Sequence, residues 1–391
     1  MLSQDDYNIL RLFRSKNVGP LTFLKLLKYF GDCETAINNI QDFNKKSRSK
    51  NPIVITSKEE IDKEIVGCST IGAKIITYKN KEYPKLLKHI DTFPPILTIL
   101  GNQELLNKRS ISIVGSRTAS SNGCNFARKL AKELGETGFV ITSGFASGID
   151  SSAHRGAIDT GTIAVLGGGV DDIYPRGNEE LYYKIKNNGL IISEVPFNSA
   201  PRAENFPARN RIVSGLSEAV IVIEAGARSG TLHTARQALE QGRELLVVPG
   251  NPYDYRCEGS NKLIKDGANV ITGFEDVLDI VQNFKIDNIS MPLFSLKDVE
   301  MEKVENDNLI FENNIEDNIT EDERNAFKEE LNEPEPISNK ELVLSKLNHT
   351  PISLDLLSQD LGIQIKDINE IITELELEEK IIVENGMARI K

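Results

Sequence analysis

Tryptophan is absent from the 391 residues, and cysteine occurs only four times, at Cys33, Cys68, Cys124 and Cys257. The four are widely spaced and form no C-x-x-C pair, which argues against a zinc ribbon or a disulfide framework and suits a reducing cytoplasm. No apolar run reaches roughly eighteen residues, so no transmembrane helix and no membrane insertion are expected. The opening Met1-Leu-Ser-Gln-Asp-Asp lacks the basic-then-apolar layout of a signal peptide, and a cytoplasmic location is the expectation. Catalytic signatures are also missing. There is no G-x-S-x-G elbow, no Walker A sequence, and no histidine–carboxylate cluster at metal-ligand spacing. His154 lies early in a helical segment, where packing is the ordinary role. No metal, no cofactor and no catalytic residue is expected.

What is present is unevenly distributed charge. The net value of −12 taken alone disfavours nucleic acid. Residues 1–108, however, hold 17 lysines and arginines against 12 acids, and residues 109–282 hold 18 against 20. Residues 283–391 hold 11 against 26 and carry nearly all the acidity. The first two-thirds is free to form a local basic groove.

Periodicity divides the chain into four parts. Residues 1–78 read as a small helical domain of the helix–hairpin–helix or sterile-alpha-motif type, with Pro20 at a helix start, Gly31 at its end and Asp32 as the next N-cap. Its functional reading is backbone contact to DNA, and its alternative is plain helical packing. Residues 79–282 form the main domain. It begins with a connector through Phe93-Pro94-Pro95, and strand–helix alternation follows from Ile111. Strands are expected at 111–115, 139–143, 162–166, 190–194, 219–223, 244–248 and 269–272. Near-continuous Ile/Val runs mark them as buried on both faces, hence a doubly wound, mostly parallel, Rossmann-like α/β sheet. Residues 283–337 are rich in Asn, Asp and Glu and read as an acidic flexible linker. Residues 338–391 read as three helices and an Asn385-Gly386 hairpin, a winged-helix layout. Its third helix is acidic, which favours a protein partner over DNA.

The site candidates are the loops that follow the strands. Gly115-Ser116-Arg117 offers N–H groups, a hydroxyl and a guanidinium, which suits a phosphate. It is not G-x-G-x-x-G, and the next strand ends in Thr142-Ser143-Gly144 with no ribose-binding acid, so a dinucleotide is disfavoured. Arg176 follows the Gly167-Gly168-Gly169 turn. Arg228-Ser229-Gly230-Thr231 precedes another helix. Phe206, Arg209, Asn210 and Arg211 put an aromatic, an amide and two arginines within six positions, the composition of a single-strand groove. Alternatively those arginines pair with Glu194, Glu204 or Glu218 as structural ion pairs. Repetition of Gly with Arg, Ser or Thr at one sheet edge is the main signal.

Val114-Gly-Ser-Arg117, Ser143-Gly-Phe-Ala-Ser-Gly-Ile-Asp150 with Ala153-His154, Gly167-Gly-Gly-Val-Asp171 with Tyr174-Pro-Arg176, Asn205-Phe-Pro-Ala-Arg-Asn-Arg211, Ser229-Gly-Thr231 and Val248-Pro-Gly-Asn251 together resemble the DNA-processing protein A (DprA, or Smf) family. The resemblance covers about 80–282 and extends more loosely to both ends. It implies a cytoplasmic homodimer without catalytic turnover. That dimer would bind single-stranded DNA, protect incoming DNA and load the RecA recombinase in natural transformation, competence and DNA recombination. The family's basic pocket would fall on Arg117, Arg176, Phe206, Arg209, Asn210 and Arg211. The long acidic segment departs from the family pattern. A second reading is a nucleotide-binding hydrolase of the phosphoribohydrolase-like class. It rests on the likeness of Gly226-x-x-Ser-Gly-Thr231 to a phosphate loop, but Arg228-Ser229 replaces the glycine-rich pair and Glu240 lies too far along to serve as its acid.

Overall fold

The computed structural model describes residues 2–47, 51–282, 284, 339–347, 351–361, 363–378, 380–384 and 386–390. The chain divides into two compact units, Met1–Leu331 and Asn332–Lys391.

Four helices open the first unit: α1 Gln4–Phe13, α2 Pro20–Phe30, α3 Cys33–Ser47 and α4 Lys58–Thr70. Their ends follow local chemistry. Ser3 Oγ accepts from the Asp6 N–H at 3.1 Å while the Asp6 carboxylate accepts from the Ser3 N–H, a capping box that starts α1. Pro20 stands at the first turn of α2, and Gly31 ends it at φ 86°. Asp32 accepts from the Thr35 N–H at 2.8 Å and starts α3.

The segment expected as a connector contains two strands. β1 Lys74–Thr77 and β2 Ile96–Gly101 pair antiparallel, and β2 pairs antiparallel with a strand of the main sheet. The run Ile96-Leu-Thr-Ile-Leu100 is an ordinary buried strand, and the prolines before it set only where it begins. The remaining strands are β3 Ser110–Gly115, β4 Val140–Ser143, β5 Thr162–Val165, β6 Leu190–Ser193, β7 Ala219–Ile223, β8 Glu244–Val247 and β9 Asn269–Val270. The sheet order is β1-β2-β6-β5-β4-β3-β7-β8-β9, parallel from β6 through β9.

Period-two alternation assigns the two faces. Ile111, Ile113, Ile141 and Ile221 pack with Leu130 and Leu134 of α5 (Ser121–Glu136) and with Ile149 and Ala153 of α6 (Ile149–Ala157). On the opposite face, Val220 and Val222 pack with Ile212 and Val213 of α8 (Asn205–Gly215), with Ala235 of α9 (Thr231–Glu240), and in the same cluster with Ile9, Phe23 and Leu27 of the opening helices. The opening helices therefore share a core with the sheet. Each such fully buried aliphatic side chain contributes about 1.5–3 kcal/mol of transfer free energy. α7 Glu179–Asn188 lies between β5 and β6 in sequence, and α10 Glu258–Lys265 and α11 Phe274–Val281 complete the unit. The chain winds outward from β3 through β4 and β5 to β6, then returns to lay β7 beside β3. The crevice between the ends of β3 and β7 is thus the topological switch point.

The second unit holds helices Asn339–Lys346, Leu354–Leu361 and Ile365–Leu377 and a three-stranded sheet of Ile352–Ser353, Ile381–Glu384 and Met387–Ile390. Val343, Leu357, Ile368, Ile372, Leu375 and Ala388 form its core. This is a winged helix. Ser353 Oγ accepts from the Leu356 N–H at 3.2 Å and caps the helix Leu354–Leu361, as a serine directly before a helical run is expected to do. Gly362 and Asn385, as well as the acidic residues 285–338, lie outside the described residues.

Candidate nucleic-acid interface

Across the sheet the loops after β5, β4, β3, β7 and β8 open at the same edge, because these strands are parallel neighbours. Gly115 brings two of them close together. It pairs with Ile223 across β3 and β7, and a Cβ there would stand 1.9 Å from the Ile223 carbonyl oxygen. Gly148 does the same for the β4 loop. It sits at φ 73° against the carbonyl oxygens of Ser116 and Arg117, and the Ile149 N–H donates to the Ser116 carbonyl at 3.2 Å.

Several residues expected to line the groove are instead buried supports beneath it. Ser143 is fully buried, and its hydroxyl donates to the Ile113 carbonyl at 2.6 Å. The Gly144 N–H donates to Asp150 Oδ2 at 3.1 Å. The segment carrying Phe206 to Arg211 is α8, and it is enclosed on both sides rather than laid along the edge as a loop. Phe206 is 5% exposed, with the guanidinium groups of Arg117 and Arg209 over its ring at 5.8 and 5.7 Å and Tyr174 against it at 6.1 Å. It has no open face on which a base could stack. Arg209 donates to the carbonyls of Gly144 and Val165, the latter at 2.5 Å, and its Nε donates to Asn210 Oδ1 at 3.1 Å. Arg211 is ion-paired with Glu194 in the interior, one of the structural pairings its neighbourhood allowed. Carbonyl contacts hold the Arg209 guanidinium and the Glu194 carboxylate holds that of Arg211, whose Nη1 has no hydrogen-bond partner among the described residues. Arg14 adds to the same support. It forms a two-pronged pair with Glu64 and donates to the Glu194 carbonyl at 2.8 Å.

Asp150 and His154, on α6, belong to this interior as well. Burial pushes the Asp150 carboxyl up from its ordinary range, against the pull of Arg209. Burial lowers His154 to about 3, so it is neutral at physiological pH. Thr162 Oγ1 donates its hydrogen to the Ile141 carbonyl, so the 2.7 Å contact between Thr162 and His154 requires the proton on His154 Nδ1. Nε2 has no hydrogen-bond partner among the described residues. This is a packing histidine rather than a metal ligand or general base. Among the described residues no group of three or more His, Cys, Asp or Glu is placed to hold a metal.

Other candidates do face the edge. Arg176 and Arg228 are exposed, and Ser116, Arg117 and Ser229 are half-buried. The Ser116 N–H is engaged by the Glu224 carbonyl at 2.6 Å. Glu224 opens the loop that bears Arg228, and the sequence gives it no role of its own. It sits at φ 51°, and its carboxylate accepts from the Ser120 N–H at 2.7 Å and from the Ser120 hydroxyl, at the start of α5. The anion position at that helix terminus is therefore filled from within. Only its positive φ, which no sequence pattern reports for a glutamate, marks it.

No described helix is long and apolar enough to cross a membrane. Comparison with known proteins places three family models on the chain. That of the DNA recombination-mediator protein A matches residues 74–282, that of the DprA-like N-terminal HHH domain 3–66, and that of the DprA winged helix domain 328–387. The DNA processing protein DprA of Bacillus subtilis strain 168 is 43% identical over 211 residues, which cover 53% of this chain and 71% of that protein. The X-ray structure of DprA from Streptococcus pneumoniae superimposes with a TM-score of 0.59 at 30% identity, covering 73% of this chain and 99% of that one. The structure of DprA from Helicobacter pylori, described for its single-stranded DNA binding mode, gives a TM-score of 0.51 at 30% identity, covering 56% and 99%.

Proposed function

The chain belongs to the DNA recombination-mediator protein A family, and from that premise we propose that it binds single-stranded DNA along the carboxyl edge of its parallel sheet. The observation that carries this reading is that Arg176 and Arg228, exposed, and Arg117, half-buried, lie in the loops after β5, β7 and β3 at one edge of the sheet. Cations spaced along one edge suit a polymer of phosphates better than a single phosphate. Phe206, Arg209 and Arg211 serve that edge by holding α8 and the loops in place. Following the family, the protein acts as a cytoplasmic homodimer without catalytic turnover. It protects incoming single strands and hands them to the RecA recombinase during natural transformation and recombination. The edge arginines do the binding, the helical part of 1–78 stiffens the sheet unit of 79–282, and the acidic winged unit serves a protein partner.

The test is an anisotropy titration of fluorescent oligo-dT across salt, with and without RecA. Three arginines neutralising three phosphates predict a slope of log K against log salt of about −2, at roughly −0.7 per contact. Arg117→Ala, Arg176→Ala and Arg228→Ala should each reduce the magnitude of that slope by about 0.7. Unchanged affinity in the triple variant, or release of free base from nucleoside monophosphates by the parent, would count against the reading.

A further inference from the structure

The loop after β8, Pro249–Cys257, holds the two most exposed aromatic side chains among the described residues. Tyr253 is 98% exposed and Tyr255 is 74% exposed. Rings this bare usually lie on mobile chain, yet this loop is fastened on all sides. Gly250 exchanges two hydrogen bonds with the Asn261 side chain, both at 3.1 Å. The Tyr253 N–H donates to Asn251 Oδ1 at 3.0 Å, and the Asp254 N–H to the Asn251 carbonyl at 3.0 Å. The start of α10 docks on the β7 loop, where the N–H groups of Gly259 and Ser260 donate to the Ala225 carbonyl at 2.8 and 3.0 Å. Arg256 is gripped by Asp254 through two nitrogens, with contacts from 2.7 to 3.2 Å, and its guanidinium lies 5.9 Å from the Tyr255 ring centre. Two apolar rings are thus presented to water on a rigid turn, with a guanidinium fixed beside one of them. The loop lies directly next to the one that bears Arg228.

We propose that Tyr253 and Tyr255 form a stacking platform for two bases of a single strand that continues past Arg228 from the edge described above. Aromatic faces accept any base, while Arg228, on the adjoining loop, supplies the charge that follows the phosphates. Asp254 does not oppose the strand, since Arg256 neutralises it, and Glu258, at the start of α10, is the one uncompensated acid of this turn. β3 and β8 are two strand spacings apart, about 10 Å, so a strand held at Arg117 reaches the tyrosines within the roughly 4–16 nucleotides that one single-strand site covers. The platform rests on the proposed DNA-binding reading and extends it toward the β8 side of the sheet. Nothing in Asn251-Pro-Tyr-Asp-Tyr-Arg256 has the periodicity of an element, and the sequence reading passed over it.

The test uses the full chain. The parent, Tyr253→Ala/Tyr255→Ala and Tyr253→Phe/Tyr255→Phe are titrated with oligo-dT of about six and about twenty nucleotides. The alanine pair should weaken binding of both oligomers, the long one by roughly 30-fold or more, since even six nucleotides span about 20 Å, while the phenylalanine pair should retain parental affinity. Tyr253→Trp places a single tryptophan in the chain, and its emission should be quenched as the oligomers bind. If the parent binds no oligo-dT, the DNA-binding reading itself falls. If the parent binds and the alanine pair matches it at both lengths, the platform is refuted and the edge site stands. A change in mass by light scattering in the alanine pair, with DNA affinity intact, refutes the platform in favour of a contact between copies of the chain.

Discussion

Replacing Arg211 with methionine separates a structural arginine from a DNA contact. The side chains of Arg211 and Glu194 are 8% and 15% exposed, and they pair with each other. Glu194 Oε1 has no hydrogen-bond partner among the described residues, so removing the guanidinium leaves both carboxylate oxygens buried and unanswered. Breaking such a pair from one side destabilises by about 3–5 kcal/mol. At about 4 kcal/mol the ratio of folded to unfolded protein falls close to a thousand-fold, and the melting temperature falls by about 10 °C. Adding Glu194→Gln removes the stranded charge and should recover most of that loss. Urea unfolding followed by tyrosine fluorescence measures the three variants, and oligo-dT anisotropy measures binding by the folded fraction. Arg211→Met should unfold early and bind with nearly parental affinity while folded. If it unfolds like the parent and loses DNA binding, Arg211 is a ligand contact and the structural assignment is wrong.

Acid titration provides a second check. His154 is depressed to about 3 by burial and takes up a proton at about 6.5 once unfolded. The unfolded state then binds more protons between those values, so stability is lost as pH falls through that window. From pH 6.5 to 5.5 the loss attributable to this group is about 1 kcal/mol, and the difference in unfolding free energy between the parent and His154→Gln, followed against pH, should show it. At Gly115 a methyl group meets the Ile223 carbonyl at 1.9 Å, so Gly115→Ala should destabilise by on the order of 3 kcal/mol. Gly177→Ala, with nothing within 4 Å of its Cβ, should leave the urea midpoint unchanged.

The sheet was legible because parallel strands buried on both faces write themselves as Ile/Val runs, and the helix ends because Pro20, Gly31, Asp32 and Ser353 act within a turn of their own positions. β1 and β2 were not legible. A strand that joins a parallel sheet antiparallel, at its rim, is flanked by turns and prolines just as a connector is. The candidate site divides along the same line. Arg117, Arg176 and Arg228 sit in glycine-rich turns, and turns lie at the surface, so composition alone placed them. Asn205 to Arg211 has a groove's composition, but its exposure is decided by what packs on it. The segment bearing Leu87 and Ile90 on one side and the sheet on the other close over α8, and both contacts are distant in sequence. Charge within such a segment reports a need for partners, whether phosphates or carboxylates, and does not say which.

The switch point sharpens what kind of ligand this sheet can take. In open α/β sheets a single phosphate commonly settles in that crevice, on the N–H groups of the first turn and the following helix. Here Glu224 occupies it from within, held at φ 51° with its carboxylate on Ser120 and its carbonyl on the Ser116 N–H. A phosphate seeking the start of α5 would have to displace a carboxylate that already satisfies that helix terminus. With the backbone cradle filled, recognition passes outward to side chains on the loop rims. Rim side chains neutralise charge along a line rather than enclose one group. That geometry fits a strand lying across the edge.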